Sequence, residues 1–204
     1  MKENFLRPPH GFAEYAADAL RVIGVLGVLA AAIWSTPTDA GILALALPAL
    51  MIPRMLGLRA GADFIVGATV LVAAASNVFD LYRAVPGWDL VVHFACTGVI
   101  AAAGYVLLAR AGVVPAQDAE WFRTRTAIVI VPALGLAVSA LWEMIEWAGR
   151  TFVTTEILVT YQDTIGDMAV GGLGAVVAGV VVAFVRLERA DAVADSVRSR
   201  HIAA

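Results

Sequence analysis

Six runs of apolar residues, separated by short polar or turn-forming segments, dominate the pattern of the chain. They cover about Leu20 to Trp34, Gly41 to Leu58, Ala62 to Phe79, Leu90 to Ala109, Ala127 to Trp147 and Thr164 to Val185. A bilayer core is crossed by a helix of roughly 20 apolar residues, so each run is a spanning candidate. The second is the least regular. Pro48 and Pro53 interrupt it and Arg54 lies inside it, which predicts a kinked span or a re-entrant segment, with the Arg54 side chain snorkelling to the surface. Membrane β-strands would need alternation with period two, and runs such as "AVVAGVVVAFV" have none. The expected fold is therefore all-α, a polytopic membrane helix bundle of about six transmembrane helices. It forms one integral membrane domain over 1–204, with an N-terminal cytoplasmic or interfacial segment at 1–19 and a C-terminal tail at 187–204.

The polar positions between the runs set the orientation. Basic residues stay on the cytoplasmic side of short loops. With six spans and an inside N-terminus, Lys2, Arg7, Arg21, Arg54, Arg59, Arg110, Arg123, Arg125, Arg186, Arg189, Arg198 and Arg200 all fall inside, and only Arg83 and Arg150 fall outside. Both termini are thus expected in the cytoplasm. Trp34, Trp88, Trp142 and Trp147 then gather near the outer interface and Trp121 near the inner one, as an aromatic belt does. A cleavable signal peptide ending at "AAAIWS" is the competing reading of the first run. The preceding "PPHGFAEYAADAL" is long and acidic for a signal n-region and reads better as an interfacial helix, with Glu14, Asp18 and Arg21 on a solvated face.

Composition agrees with the pattern: 61% of the 204 residues are hydrophobic and the mean hydropathy is +0.84. It also removes several chemistries. Cys96 is the single cysteine, so neither a disulfide framework nor a cysteine zinc site can form within one chain. Lys2 is the single lysine and lies outside every run, which excludes an internal Schiff base. His10 and His201 are terminal, leaving His93 alone in the spans and no bis-histidine haem. Neither a Walker A sequence nor G-x-S-x-G occurs. No nucleic-acid partner is expected, and nothing in the pattern specifies an oligomeric state.

The informative exceptions are acids. Asp39, Asp80, Asp89, Glu143, Glu146, Glu156, Asp163 and Asp167 all fall at the outer end, against two arginines. Asp89 with His93, Glu143 with Glu146, and Asp163 with Asp167 are spaced to share a helix face. His93, Asp167, Glu143 and Glu146 lie within roughly 10 Å of the outer interface at 1.5 Å per residue. Polar groups at such depth face the bundle interior and mark function.

Asp89 and Asp163 sit near helix N-termini, where a carboxylate can serve as a cap. Glu143 and Glu146 sit at the negative pole of the fifth span and need protons, an arginine or a bound cation. Arg150, four residues after Glu146, could pair with it. A divalent metal (Mg, Mn, Fe or Zn) held by Asp89, His93, Glu143, Glu146, Asp163 and Asp167 satisfies the set, and a two-metal centre is an extension of it. A neutral, proton-sharing carboxylate network is the rival. Asp63, near the start of the third span, reads as a cap, and Gly171 and Gly174 read as close-packing positions.

The segments "FDLYRAVPGWDLVVHFACTG", "WEMIEW" and "YQDTIGDMAVGGLGA" resemble the YjdF-type family of bacterial inner-membrane proteins and, more distantly, VanZ-like proteins. Asp89 and His93, Glu143 and Glu146, and Asp163 and Asp167 match the pattern over residues 60 to 186. Leu90 stands where VanZ-like proteins usually carry a basic residue. The resemblance implies a location in the bacterial inner membrane and relatives linked to envelope and glycopeptide responses. Two function classes stay open. One is a metal-dependent enzyme at the outer leaflet acting on a phosphate-bearing lipid or envelope precursor. In it Glu143 or Glu146 is the general base, and Arg83 and Arg150 are the phosphate-binding residues. The other is a non-enzymatic protein that binds or moves a cation, or uses its carboxylates structurally.

Overall fold

In the computed structural model, which describes residues 1–155 and 157–192, every regular element is a helix. Glu156 and the tail positions Arg198, Arg200 and His201 lie outside the described residues. In chain order the helices are α1 (Lys2–Leu6), α2 (Phe12–Trp34), α3 (Pro37–Met55), α4 (Ala60–Val78), α5 (Leu81–Ala84), α6 (Trp88–Arg110), α7 (Thr124–Phe152) and α8 (Tyr161–Phe184). Helices α2, α3, α4, α6, α7 and α8 are each long and apolar enough to cross a membrane.

The irregular second run is an unbroken helix. Thr36 and Asp39 form a reciprocal capping box, Pro37 occupies the first turn where no N–H is needed, and α3 continues through Pro48 and Pro53. The first span also begins earlier than its apolar stretch, since α2 starts at Phe12. At 29 residues α7 is about 43 Å long. It is longer than a hydrocarbon core of about 30 Å is thick, so the helix is long enough to extend past that core.

Large apolar side chains point outward: Val22, Ile33, Leu45, Ile65, Val129, Leu173 and Phe184 are all exposed. The buried positions are instead mostly small, including Ala101, Ala127, Ala175, Gly171 and Gly174. That distribution suits lipid outside and close helix contact inside.

Helices α2, α3 and α4 pack mutually, as do α6, α7 and α8, and α4 against α6 joins the two halves. At the joint Trp88 Nε1 donates to Ser76 Oγ at 2.9 Å and Tyr82 donates its hydroxyl proton to the Ala73 carbonyl. At one end of the bundle the starts of α2 and α4 meet the end of α3. At the other, the starts of α6 and α8 meet the end of α7.

At the first of these ends three sequence expectations are corrected. Glu14 and Arg21 are buried rather than solvated, Arg54 is buried rather than snorkelling, and Asp63 pairs with Arg21 rather than capping α4. Arg7 pairs with Glu14, Arg21 bridges Asp18 at 2.9 Å, and Arg54 lies 3.6 Å from Glu14 and 3.7 Å from Asp18. Opposite charges from three helices compensate one another there, which is the condition on which charges are buried at all. The chain after α8 docks beside them. Arg110 pairs with Glu188 at 2.7 Å and donates to the Leu56 and Ala192 carbonyls, while Leu58 and Glu188 form an antiparallel bridge.

Candidate metal centre

At the opposite end, three helices deliver polar side chains in register. From the mouth inward, α6 supplies Asp89, His93 and Thr97, α7 supplies Glu146, Glu143 and Ser139, and α8 supplies Asp163, Asp167 and Gly171. Each series steps by three or four residues, so each occupies one helix face. The faces converge because the residues below them are small. A Cβ on Gly135 would collide with Ala175 and lie 3.5 Å from Ala101, and one on Gly171 would lie 2.8 Å from Thr97 Oγ1 and 3.0 Å from Ser139 Oγ.

His93 is the hub and is 4% exposed. Its Nε2 lies 3.4 Å from Asp89 Oδ1 and 3.9 Å from Asp167 Oδ2, and its Nδ1 lies 3.9 Å from Glu143 Oε1. Glu146 accepts a hydrogen bond from Trp142 Nε1 at 2.9 Å. The hydroxyl of Thr160, the N-cap of α8, accepts from the Asp163 N–H. Glu143 Oε1, Asp167 Oδ2 and Ser139 Oγ are buried without a hydrogen-bond partner. Buried carboxylate oxygens left unpaired are costly, and a cation satisfies them.

Two sets have ligand atoms within 4.8 Å of one another: Asp89, His93 and Asp167, and His93, Glu143 and Glu146. Donor atoms about 2.1 Å from an ion stand roughly 3 to 4 Å apart, so small side-chain movements would close either set around one. Either group could hold a metal.

The structure thus brings Asp89, His93, Glu143, Glu146 and Asp167 together, with Asp163 within electrostatic reach of Asp89 and His93. The arginines lie apart from this group. Arg150 donates to the Thr155 and Ile157 carbonyls, so of the alternatives for Glu146 the pairing with Arg150 is not the one seen. The loop after α7 offers those carbonyls to the guanidinium, and Trp142 takes its place at Glu146. Arg83 is on α5, mostly exposed, 3.6 Å from Asp80. The capping expectation is corrected for both acids. Gly87 is the N-cap of α6 and Thr160 that of α8, while Asp89 and Asp163 each lie in the first turn. Ser139 and Thr97 are additional lining residues; the signal for them was their spacing of four from Glu143 and His93.

A bundle of six spanning helices with a buried carboxylate–imidazole cluster at one end defines a polytopic α-helical membrane protein. The chain belongs to the family described as predicted membrane protein (DUF2238), whose family model matches residues 19–188 and so includes the whole cluster. Among curated proteins and among solved structures, no match is found.

Proposed function

We propose that this is a bacterial inner-membrane protein, of YjdF type and distantly VanZ-like, that binds a divalent cation at the outward-facing end of its bundle. The observation that carries the reading is the pair of buried carboxylate oxygens without a hydrogen-bond partner, Glu143 Oε1 and Asp167 Oδ2, each 3.9 Å from a nitrogen of a buried histidine. Carboxylates with one imidazole suit Mg, Mn, Fe or Zn. The outward orientation rests on the basic residues, which gather at the other end of the helices with both termini in the cytoplasm.

The reading extends to chemistry on a phosphate-bearing lipid or envelope precursor. A divalent ion in this position would polarise a phosphoryl oxygen, and Glu146, only partly buried and nearer the mouth than Glu143, is the accessible candidate for general base. Arg83 and Arg150, both at the same end, would meet a phosphate on leaving their present partners, Asp80 among those of Arg83 and the loop carbonyls for Arg150. Without turnover, the same site makes the protein a cation binder.

Elemental analysis of detergent-purified protein, wild type beside a Glu143→Ala, Asp167→Ala double variant, tests the binding. Stoichiometric metal in the wild type and its loss in the folded variant are expected. A wild type that takes up no divalent metal after loading with Mn or Zn overturns the reading. Lipid turnover by the wild type alone would mark the enzyme.

A further inference from the structure

The two polar ends of the bundle solve the same problem in different ways. The halves α2–α4 and α6–α8 run in opposite senses, and each builds its cluster from the start of its first helix, the end of its second and the start of its third. In the first half Glu14, Asp18 and Asp63 are matched one for one by Arg7, Arg21 and Arg54. In the second, Asp89, Glu143, Glu146 and Asp167 surround a single imidazole, and the ion pairs of these carboxylates among the described residues run only to His93. Glu143 and Glu146 stand at the end of α7, where Arg54 stands at the end of α3.

We infer that the acidic end is a two-ion centre, taking two divalent cations where the first half uses its own guanidinium groups. This rests on the cation-binding reading and adds number and arrangement to it. The two nitrogens of an imidazole point in different directions, so one ion cannot bind both. Nε2 faces Asp89 and Asp167, and with them ligates the first ion. Nδ1 keeps its proton and faces Glu143, which with Glu146 holds the second ion. Closing the 3.9 Å between Nδ1 and Glu143 to an N–H hydrogen bond when the ions bind fixes the ring tautomer and links the two ions through the histidine. Four carboxylates, two divalent ions and a neutral imidazole then sum to zero charge, matching the neutrality of the first half. Asp163 stays at the mouth, where its first-turn position on α8 suits a carboxylate. Ligands left vacant are filled by water, as hard divalent ions permit.

The test is metal stoichiometry in the full-length protein, stripped with chelator, reloaded at saturating Mn²⁺ and passed through a desalting column. Two ions per chain are expected in the wild type. Asp167→Asn removes the histidine-side ion and leaves one. Glu146→Arg places a guanidinium in the second half as Arg54 is placed in the first and likewise leaves one, with Glu146→Gln as the conservative companion should that variant fail to fold. One ion in the saturated wild type overturns the two-ion centre while sparing single-cation binding. No ion overturns both. Two ions in the wild type with both lost from either folded variant also overturn it, because the two ligand sets would then not be separable.

Discussion

Gly174→Ala probes the contact on which the centre is built. A Cβ at this position would run into the Phe94 carbonyl oxygen and lie 2.8 Å from its carbon and 3.1 Å from Phe94 Cα, all backbone atoms that cannot rotate away. Helix α8 must therefore move off α6, and an overpacked contact of this kind costs about 1–3 kcal/mol. Alanine also gains about 1 kcal/mol of helix propensity over glycine, which partly hides the clash. Gly166→Ala supplies the control on the same helix, since its new Cβ meets only Leu90 Cδ2 at 4.0 Å. The expected difference between the two variants is thus the clash itself, about 1–3 kcal/mol in unfolding free energy measured by denaturant titration in detergent micelles. Because Phe94 adjoins His93, and Asp167 is two turns before Gly174 on α8, the displacement should also weaken Mn²⁺ binding in Gly174→Ala and spare it in Gly166→Ala. Equal stability and equal binding in the two variants would refute the close α6–α8 approach.

Two further outcomes follow from the other end of the bundle and from its topology. Asp63→Asn leaves Arg21 buried with only the partly exposed Asp18 as its ionic partner, at a cost of roughly 3 kcal/mol, whereas the double change Arg21→Met, Asp63→Leu restores most of that loss; a double variant as unstable as the single would show that the pair itself stabilises the fold. In a Cys96→Ala background, Ser35→Cys and Gly61→Cys should label from opposite sides of the membrane, and labelling from one side would make α3 re-entrant; Gly61 is chosen over Gly57 because Gly57 has a positive φ and no room beside Ala192.

Much of the fold was legible because a bilayer imposes one rule on every span: backbone groups satisfied within the helix and apolar side chains outside. The six runs became α2, α3, α4, α6, α7 and α8 for that reason. Proline was the misleading signal in α3, since within a packed bundle neighbouring helices compensate for the missing bond better than they do in water. The acids at the far end were legible too, through the spacings from Asp89 to His93, Glu143 to Glu146 and Asp163 to Asp167. Glu14, Arg21 and Asp63 were misread because each looks ordinary on its own helix. The pairings that bury them cross between helices, with Arg21 and Asp63 separated by 42 positions and Arg54 reaching Glu14 from α3, and periodicity along one helix carries no record of such a pairing.

By itself the sequence determined the class of the molecule, the number of spans and the level at which unusual polar residues sit, because hydropathy and helical period are local properties. Only the tertiary structure decided which charges are neutralised and which are left unmatched. The chain carries acids at both ends of its helices. At one end the packing of α2, α3 and α4 brings arginines to them, and at the other the packing of α6, α7 and α8 brings more acids and a single histidine. Charge compensation depends on distances of a few ångströms between helices, set by small residues such as Gly135, Gly171 and Gly174 where the helices meet.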